Sequence, residues 1–334
     1  MYGLDAASLV TDDARGGHPM SPIAFPQLTV QLLTFSALED PDWQPVLDQA
    51  RAADDAGIDR LVVSDHIAFG NNLEAYADPA VGGTAGGKQP TGPDGHWLEP
   101  LTVLSVMAGQ TRSIRLQTGI LLAALRRPAV LAKTLATLDV LSGGRVDLGV
   151  GVGWQREEYQ VAGLDFTARG RLLNHTLEVC QALWTQRSAD YRSPELSFYE
   201  IHAMPKPAQQ NGVPIWVSGT INPPVLDRLA RFGSGWIPWG DDAVDPVPGI
   251  ARIADAMTAA GRDAAAIQVQ GTLALVRDSD RSIVVDATME SVAGMVDAGI
   301  TDFKMYARLS GGYQQTLDEL SPIVTAFRDQ VGRS

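Results

Sequence analysis

The sequence predicts a (β/α)8 TIM barrel with insertions, formed as one unit over residues 27–334. Three observations predict it. Eight apolar, β-rich runs are interleaved with eight segments of helical spacing. The alternation never breaks, which is how successive βα units lay down a parallel sheet. No low-complexity linker or shift in composition divides the 334 residues, although about 150 residues per domain would leave room for two.

The first strand, Leu28–Leu33, begins only after Pro26, so residues 1–26 are expected to be a flexible lead, with Met20 as a candidate natural start. The other strands are expected at Arg60–Ser64, Ile114–Gly119, Val146–Val150, Pro214–Ser218, Gly235–Pro238, Ile267–Val276 and Thr301–Tyr306. Between and after them, helices are expected at Trp43–Gly57, Glu99–Thr111, Pro128–Leu141, Gly170–Trp184, Pro223–Phe232, Pro248–Ala260, Met289–Ala298 and Tyr313–Val331. The third has clear boundary chemistry: Pro128 in the first turn, Leu131, Leu135 and Leu138 on one face, and Gly143-Gly144 as a stop. Cys180 continues the stripe of Leu173, Leu177 and Trp184 and reads as packing. Two connections exceed minimal βα loops. One, at about 67–98, is glycine-rich and carries Tyr76, His96 and Trp97; the other, at about 185–213, suggests a short hairpin around Leu196–Ile201. Loops at strand C-termini build a barrel's active site, so the first insertion is a candidate substrate lid.

Hydrophobic residues make up 45% and charged residues 19% of the chain, enough apolar material for a large core. Twenty-six Lys and Arg against 39 Asp and Glu leave a net charge of −13. That field repels nucleic acid and anionic membranes, so neither is an expected partner. One cysteine cannot form an internal disulfide, and no run of about 18 apolar residues or secretory leader is present, so the chain reads as soluble and cytoplasmic.

Three clusters at strand C-termini carry candidate chemistry. In Ser64-Asp65-His66, an imidazole beside a carboxylate suits proton transfer, or else the aspartate tethers a loop. In the run Leu148-Gly149-Val150-Gly151-Val152-Gly153-Trp154, missing Cβ atoms admit a flat ligand or another stretch of backbone. Its glycine spacing is not that of a dinucleotide fingerprint, and Glu157, Glu158 and Tyr159 after it face either pocket or solvent. Ser218-Gly219-Thr220, just before Asn222-Pro223-Pro224, reads as a phosphate-binding turn or a simple capped one. Arg126 and Arg127 meet an anionic cofactor tail or lie in solvent. Nucleophile-elbow and Walker motifs are absent and the five histidines are scattered, so no serine triad or metal site is expected.

The stretches Arg126–Lys133, Leu138–Arg145, the glycine–tryptophan run with Glu157-Glu158-Tyr159, Arg169–Trp184, Pro214–Gly219 and Gly235-Trp236 succeed one another in a familiar order. Together they resemble the bacterial luciferase-like superfamily over about residues 27–310, most of all its branch of coenzyme F420-dependent oxidoreductases. FMN-dependent monooxygenases are close cousins. The resemblance implies a TIM barrel and a homodimer. It places Asp65 and His66 beside the cofactor ring, with His66 as proton donor. It implies a non-proline cis peptide at Gly119-Ile120 behind the ring, contacts from Leu122, Val152 and Gly153, and a phosphate held by Ser218, Gly219 and Thr220. Where deazaflavin-dependent sugar-phosphate dehydrogenases carry a catalytic glutamate after the glycine run, this chain has Trp154, which disfavours a sugar phosphate. Arg127 stands where relatives often have histidine.

The leading expectation is therefore hydride exchange between the deazaflavin coenzyme F420 and a small carbonyl, enone or alcohol. His66, oriented by Asp65, would handle the proton, and Trp97, Trp154 and Trp239 would wall the pocket. The alternatives are an FMN-dependent monooxygenase fed by a separate reductase, and a non-catalytic flavin-binding protein.

Overall fold

In the computed structural model, residues 25–78, 83, 87–309 and 311–333 are described. The expected lead, apart from Phe25 and Pro26, and the candidate start Met20 lie outside them, as does part of the glycine-rich insertion.

Eight parallel strands close into a barrel in chain order: β1 (Gln27–Gln31), β2 (Arg60–Val63), β3 (Arg115–Thr118), β4 (Val146–Val150), β5 (Ile215–Ser218), β6 (Gly233–Ile237), β7 (Gln268–Thr272) and β8 (Asp302–Met305). The ring closes where β1 pairs with both β8 and β2. Around it lie α1 (Gln44–Ala56), α2 (Pro100–Gln110), α3 (Pro128–Ser142), α4 (Arg169–Thr185), α5 (Pro223–Phe232), α6 (Val247–Ala259), α7 (Val292–Asp297) and α8 (Tyr313–Gln330). The expected helix at Met289–Ala298 divides, with a separate turn of helix at Val285–Met289 preceding α7. The insertion at 185–213 holds the expected hairpin, Ala189–Arg192 paired antiparallel with Ser197–Ile201. Among the described residues no helix is long and apolar enough to cross a membrane.

Cap chemistry sets the helix boundaries. Gly143 takes φ +72° and closes α3 with its N–H on Asp139 O and Val140 O, the left-handed stop that a Cβ would strain. Asn222 caps α5 by accepting from the Val225 N–H at 3.0 Å, and Glu99 caps α2 through the Thr102 N–H at 2.7 Å.

Strand residues that face the helices are apolar and buried, among them Val30, Leu61, Leu116, Leu148, Ile215, Phe303 and Met305. The barrel axis is different. Arg60 is fully buried there, 4.6 Å from the Trp216 ring, and donates to Asp147 at 3.0 Å and to Asp302. Arg115 grips Asp147 with two bonds of 2.6 and 2.7 Å, while Thr29 and Gln270 donate to Asp302 at 2.8 and 2.9 Å. Burial works against the Asp147 charge, but Arg115 and Arg60 hold its carboxyl below the ordinary range. This floor of charged and polar residues ties six strands together beneath the mouth, the rim from which Ser64, Gly119, Gly151 and Ser218 lead into loops.

Candidate active site

The mouth begins with a close fit between two neighbouring strand ends. The Gly119–Ile120 peptide is cis. Ile120 then packs where a Cβ on Gly151 would lie, 2.8 Å from its Cδ1, and Leu122 packs where a Cβ on Gly153 would lie, 2.7 Å from its Cδ2. The alternating glycines thus receive the side chains that follow β3. Gly153, at φ +71°, also turns the chain toward the short helix Arg156–Val161. Tyr159 pins that helix back by donating to Val152 O at 2.5 Å.

This turn carries Glu158 beneath His66. The carboxylate is 1% exposed and its Oε1 accepts from the Ile67 N–H at 2.8 Å while lying 3.2 Å from His66 Nδ1. On the other side of the ring, His66 Nε2 lies 3.0 Å from the Tyr76 hydroxyl. Aromatic rings enclose the imidazole: Phe69 at 4.6 Å, Trp97 edge-on at 4.7 Å and Trp154 edge-on at 6.0 Å between centroids. Trp97 stacks on Phe35 at 4.3 Å, where His96–Trp97 pairs with Phe35–Ser36. Tyr76 meets Trp154 edge-on at 4.5 Å. The described parts of the 67–98 insertion therefore supply both the Tyr76 hydroxyl and the Trp97 wall. Burial, together with the Glu158 charge beyond the imidazole, pushes the Tyr76 phenol up from its ordinary value.

Asp65 does not orient His66, contrary to the reading of the adjacent pair. It is buried, accepts from the Leu122 N–H at 2.8 Å, and takes two bonds from Arg126 at 2.6 and 3.1 Å. Successive residues leaving a strand point apart, which sends Asp65 to the β3 loop and His66 to the insertion. Arg126 continues to Glu99 at 2.8 Å, so it is spent on protein carboxylates, and Arg127 is exposed at the start of α3. Asp65 thus holds the segment bearing Ile120 and Leu122. Glu158 takes the orienting place. Its sequence signal was its position one turn into a helix opening at a strand C-terminus; the Tyr76 partnership, across an irregular insertion, had none.

The Ser218–Thr220 turn is partly occupied. Gly219 N–H donates to Ile237 O at 3.2 Å, and Ile221 N–H donates to Asp242 at 2.6 Å. Thr220 Oγ1 donates to the carbonyl of Trp239, which so borders this turn. Among the described residues the Ser218 hydroxyl and the Thr220 N–H have no hydrogen bond of this kind, so the turn offers fewer free amide donors than the sequence suggested.

These residues fit a flat cofactor. The half-buried Gly119–Ile120 bulge offers an apolar platform, and the Gln155 side chain, 1% exposed just beyond Gly153-Trp154, has no partner for either its oxygen or its nitrogen among the described residues. A buried, unpartnered amide next in sequence to Trp154 suits the polar edge of a heterocycle.

A family model described as luciferase-like monooxygenase matches residues 24–321. An uncharacterized protein of Mycobacterium tuberculosis is 37% identical over 166 residues, 50% of this chain and 58% of the relative. The chain thus spans less than two thirds of that relative's length. The F420-dependent hydroxymycolic acid dehydrogenase of Mycobacterium tuberculosis is 27% identical over 74% of this chain and 63% of its own. Among solved structures, an F420-dependent secondary alcohol dehydrogenase in complex with an F420-acetone adduct superposes with a TM-score of 0.69 at 17% identity, over 91% of this chain and 100% of its own. The oxygenating constituent of 3,6-diketocamphane monooxygenase from Pseudomonas putida, in complex with FMN, gives 0.68 at 14% identity, over 93% and 100%. These two structures share the fold.

Proposed function

The chain belongs to the luciferase-like monooxygenase family, and on that premise we propose that it transfers hydride between the deazaflavin coenzyme F420 and a small carbonyl, enone or alcohol. The observation that carries this reading is His66, held between the buried Glu158 carboxylate and the Tyr76 hydroxyl in an aromatic mouth. Hydride transfer to or from an oxygenated carbon needs one proton moved in step with it, and an imidazole with a carboxylate behind it is built to move one. The similarity to the F420-dependent dehydrogenase of Mycobacterium tuberculosis supports the choice of cofactor.

Gly119, Ile120 and Leu122 would support the ring, Val152 and Gly153 would line it, and Ser218, Gly219 and Thr220 would receive the phosphate. Asp65 contributes by fixing Leu122 and Arg126. When bound, the deazaflavin supplies or accepts the hydride. The protein holds the partners close and aligned, excludes water with Phe69, Trp97 and Trp154, and manages the proton at His66. Among the described residues no Lys or Arg pairs with the His66 ring, so the walls favour an apolar carbonyl or alcohol over a sugar phosphate.

The test is anaerobic mixing with reduced deazaflavin and a panel of ketones, enones and aldehydes, following cofactor oxidation and product. Turnover without oxygen is expected. Product formed only with reduced FMN and oxygen would replace this reading with a flavin monooxygenase.

A further inference from the structure

We propose that Tyr76, from the insertion after β2, is the group that exchanges the proton with the substrate, and that His66 and Glu158 form the relay behind it. This rests on the hydride-transfer reading above. Three observations lead to it. First, His66 has no ring nitrogen left for a substrate: Nδ1 faces Glu158 at 3.2 Å and Nε2 faces Tyr76 at 3.0 Å. Second, its side chain is only 11% exposed, with Phe69, Trp97 and Trp154 against the ring. Third, Glu158 Oε1 already accepts from the Ile67 N–H, so a carboxylate there sets a neutral His66 with its hydrogen on Nδ1 and its Nε2 lone pair accepting from the Tyr76 O–H. The raised phenol stays protonated and able to donate.

The resting arrangement is that of a base. For alcohol oxidation, the substrate O–H bond breaks and its proton passes to Tyr76 Oη. Tyr76's own proton moves to His66 Nε2, leaving an imidazolium beside the Glu158 carboxylate. The carbinol C–H bond would break as hydride to the oxidised deazaflavin when that is bound, which would balance the change from alcohol to carbonyl by reduction of the deazaflavin. The imidazolium then returns its proton to solvent. Carbonyl reduction runs the same steps backward. Glu158 acts as a positioning residue, fixing the tautomer and stabilising the charged ring, the role a buried carboxylate plays behind histidine in a catalytic triad.

The experiment combines Tyr76→Phe with nitrogen NMR of the histidine-labelled, cofactor-free protein. The NMR spectrum is expected to show neutral His66 protonated at Nδ1 and bare at Nε2; the opposite tautomer overturns the relay whether or not any cofactor binds. In Tyr76→Phe, deazaflavin affinity and thermal midpoint are expected to stay as in the parent, with kcat for an alcohol or ketone down about 100-fold or more, the usual range for a lost acid–base group. The solvent isotope effect on the parent's kcat is expected to be lost. A variant that binds deazaflavin and turns over at the parent rate would remove Tyr76 from the chemistry and leave the hydride-transfer reading standing. A parent that fails to turn over with deazaflavin would overturn that reading instead, and with it the assignment of Tyr76. A variant that fails to fold leaves the tautomer measurement on the parent as the deciding result.

Discussion

At the floor of the barrel, Asp147 is shared between Arg60 and Arg115; at the mouth, Glu158 is shared between His66 and the Ile67 N–H. Both carboxylates are almost wholly buried, Asp147 at 2% and Glu158 at 1% exposure. The difference lies in the partner. Arginine does not give up its proton under protein conditions, so the floor is a fixed pattern of charge that ties strands together. The imidazole joins here to a hydroxyl as well as to the carboxylate, the arrangement on which the proposed proton transfer rests. On the proposed reading, the same kind of buried acid serves architecture in one place and chemistry in the other.

The largest effect should come from breaking the floor. Replacing Asp147 in Asp147→Ala leaves Arg115 without its bidentate acceptor and Arg60 with one carboxylate in place of two. Stripping a buried ion pair of one partner costs about 3–5 kcal/mol. A denaturant midpoint is expected to fall accordingly, and a variant as stable as its parent would mean that the floor is not structural.

The mouth should respond in the opposite sense. Glu158→Gln keeps an acceptor for the Ile67 N–H but removes the charge behind His66. Stability is expected to change by less than about 1 kcal/mol, while kcat falls about 10–100-fold, as for outer partners that orient a functional imidazole. Loss of folding with unchanged kcat in the surviving protein would assign Glu158 to the floor's class.

These contrasts also show what the residues disclose in advance. The eight strands and most helices were legible because outward strand faces and inward helix faces are apolar, and because Gly143 and Asn222 mark helix ends by local chemistry. The polar axis was not: the run Arg60–Ser64 reads as an apolar strand, yet its arginine lies at the centre of the barrel, neutralised by residues 87 and 242 positions away. Asp65 and His66 misled by adjacency. Their partners, Arg126 and Glu158, lie 61 and 92 residues on, and only closure of the barrel chooses between them. The cis peptide at Gly119-Ile120, by contrast, was anticipated through resemblance, not through any property of the dipeptide itself.

The smallest effect is the response to acid. Asp147, held low by Arg115 and Arg60 against burial, and Asp54, held low by Ser113 and the amide N–H groups of Arg112, Ser113 and Ile114 against burial, both have depressed folded values. An unfolded chain therefore binds more protons than the folded one as pH drops below about 4. The stability these groups contribute is present above that pH and is lost as pH falls through the folded values, by at most about 1.4 kcal/mol per pH unit for each. Urea midpoints should be flat from neutrality to about pH 5 in this respect and then decline; a midpoint that rises on acidification would contradict the assignment.

Parallel titration of the purified protein with oxidised deazaflavin F420 and with FMN, followed by absorbance and fluorescence, tests the central claim most directly. Tight deazaflavin binding with much weaker FMN binding is the predicted result. The reverse preference, or binding of neither, would contradict it.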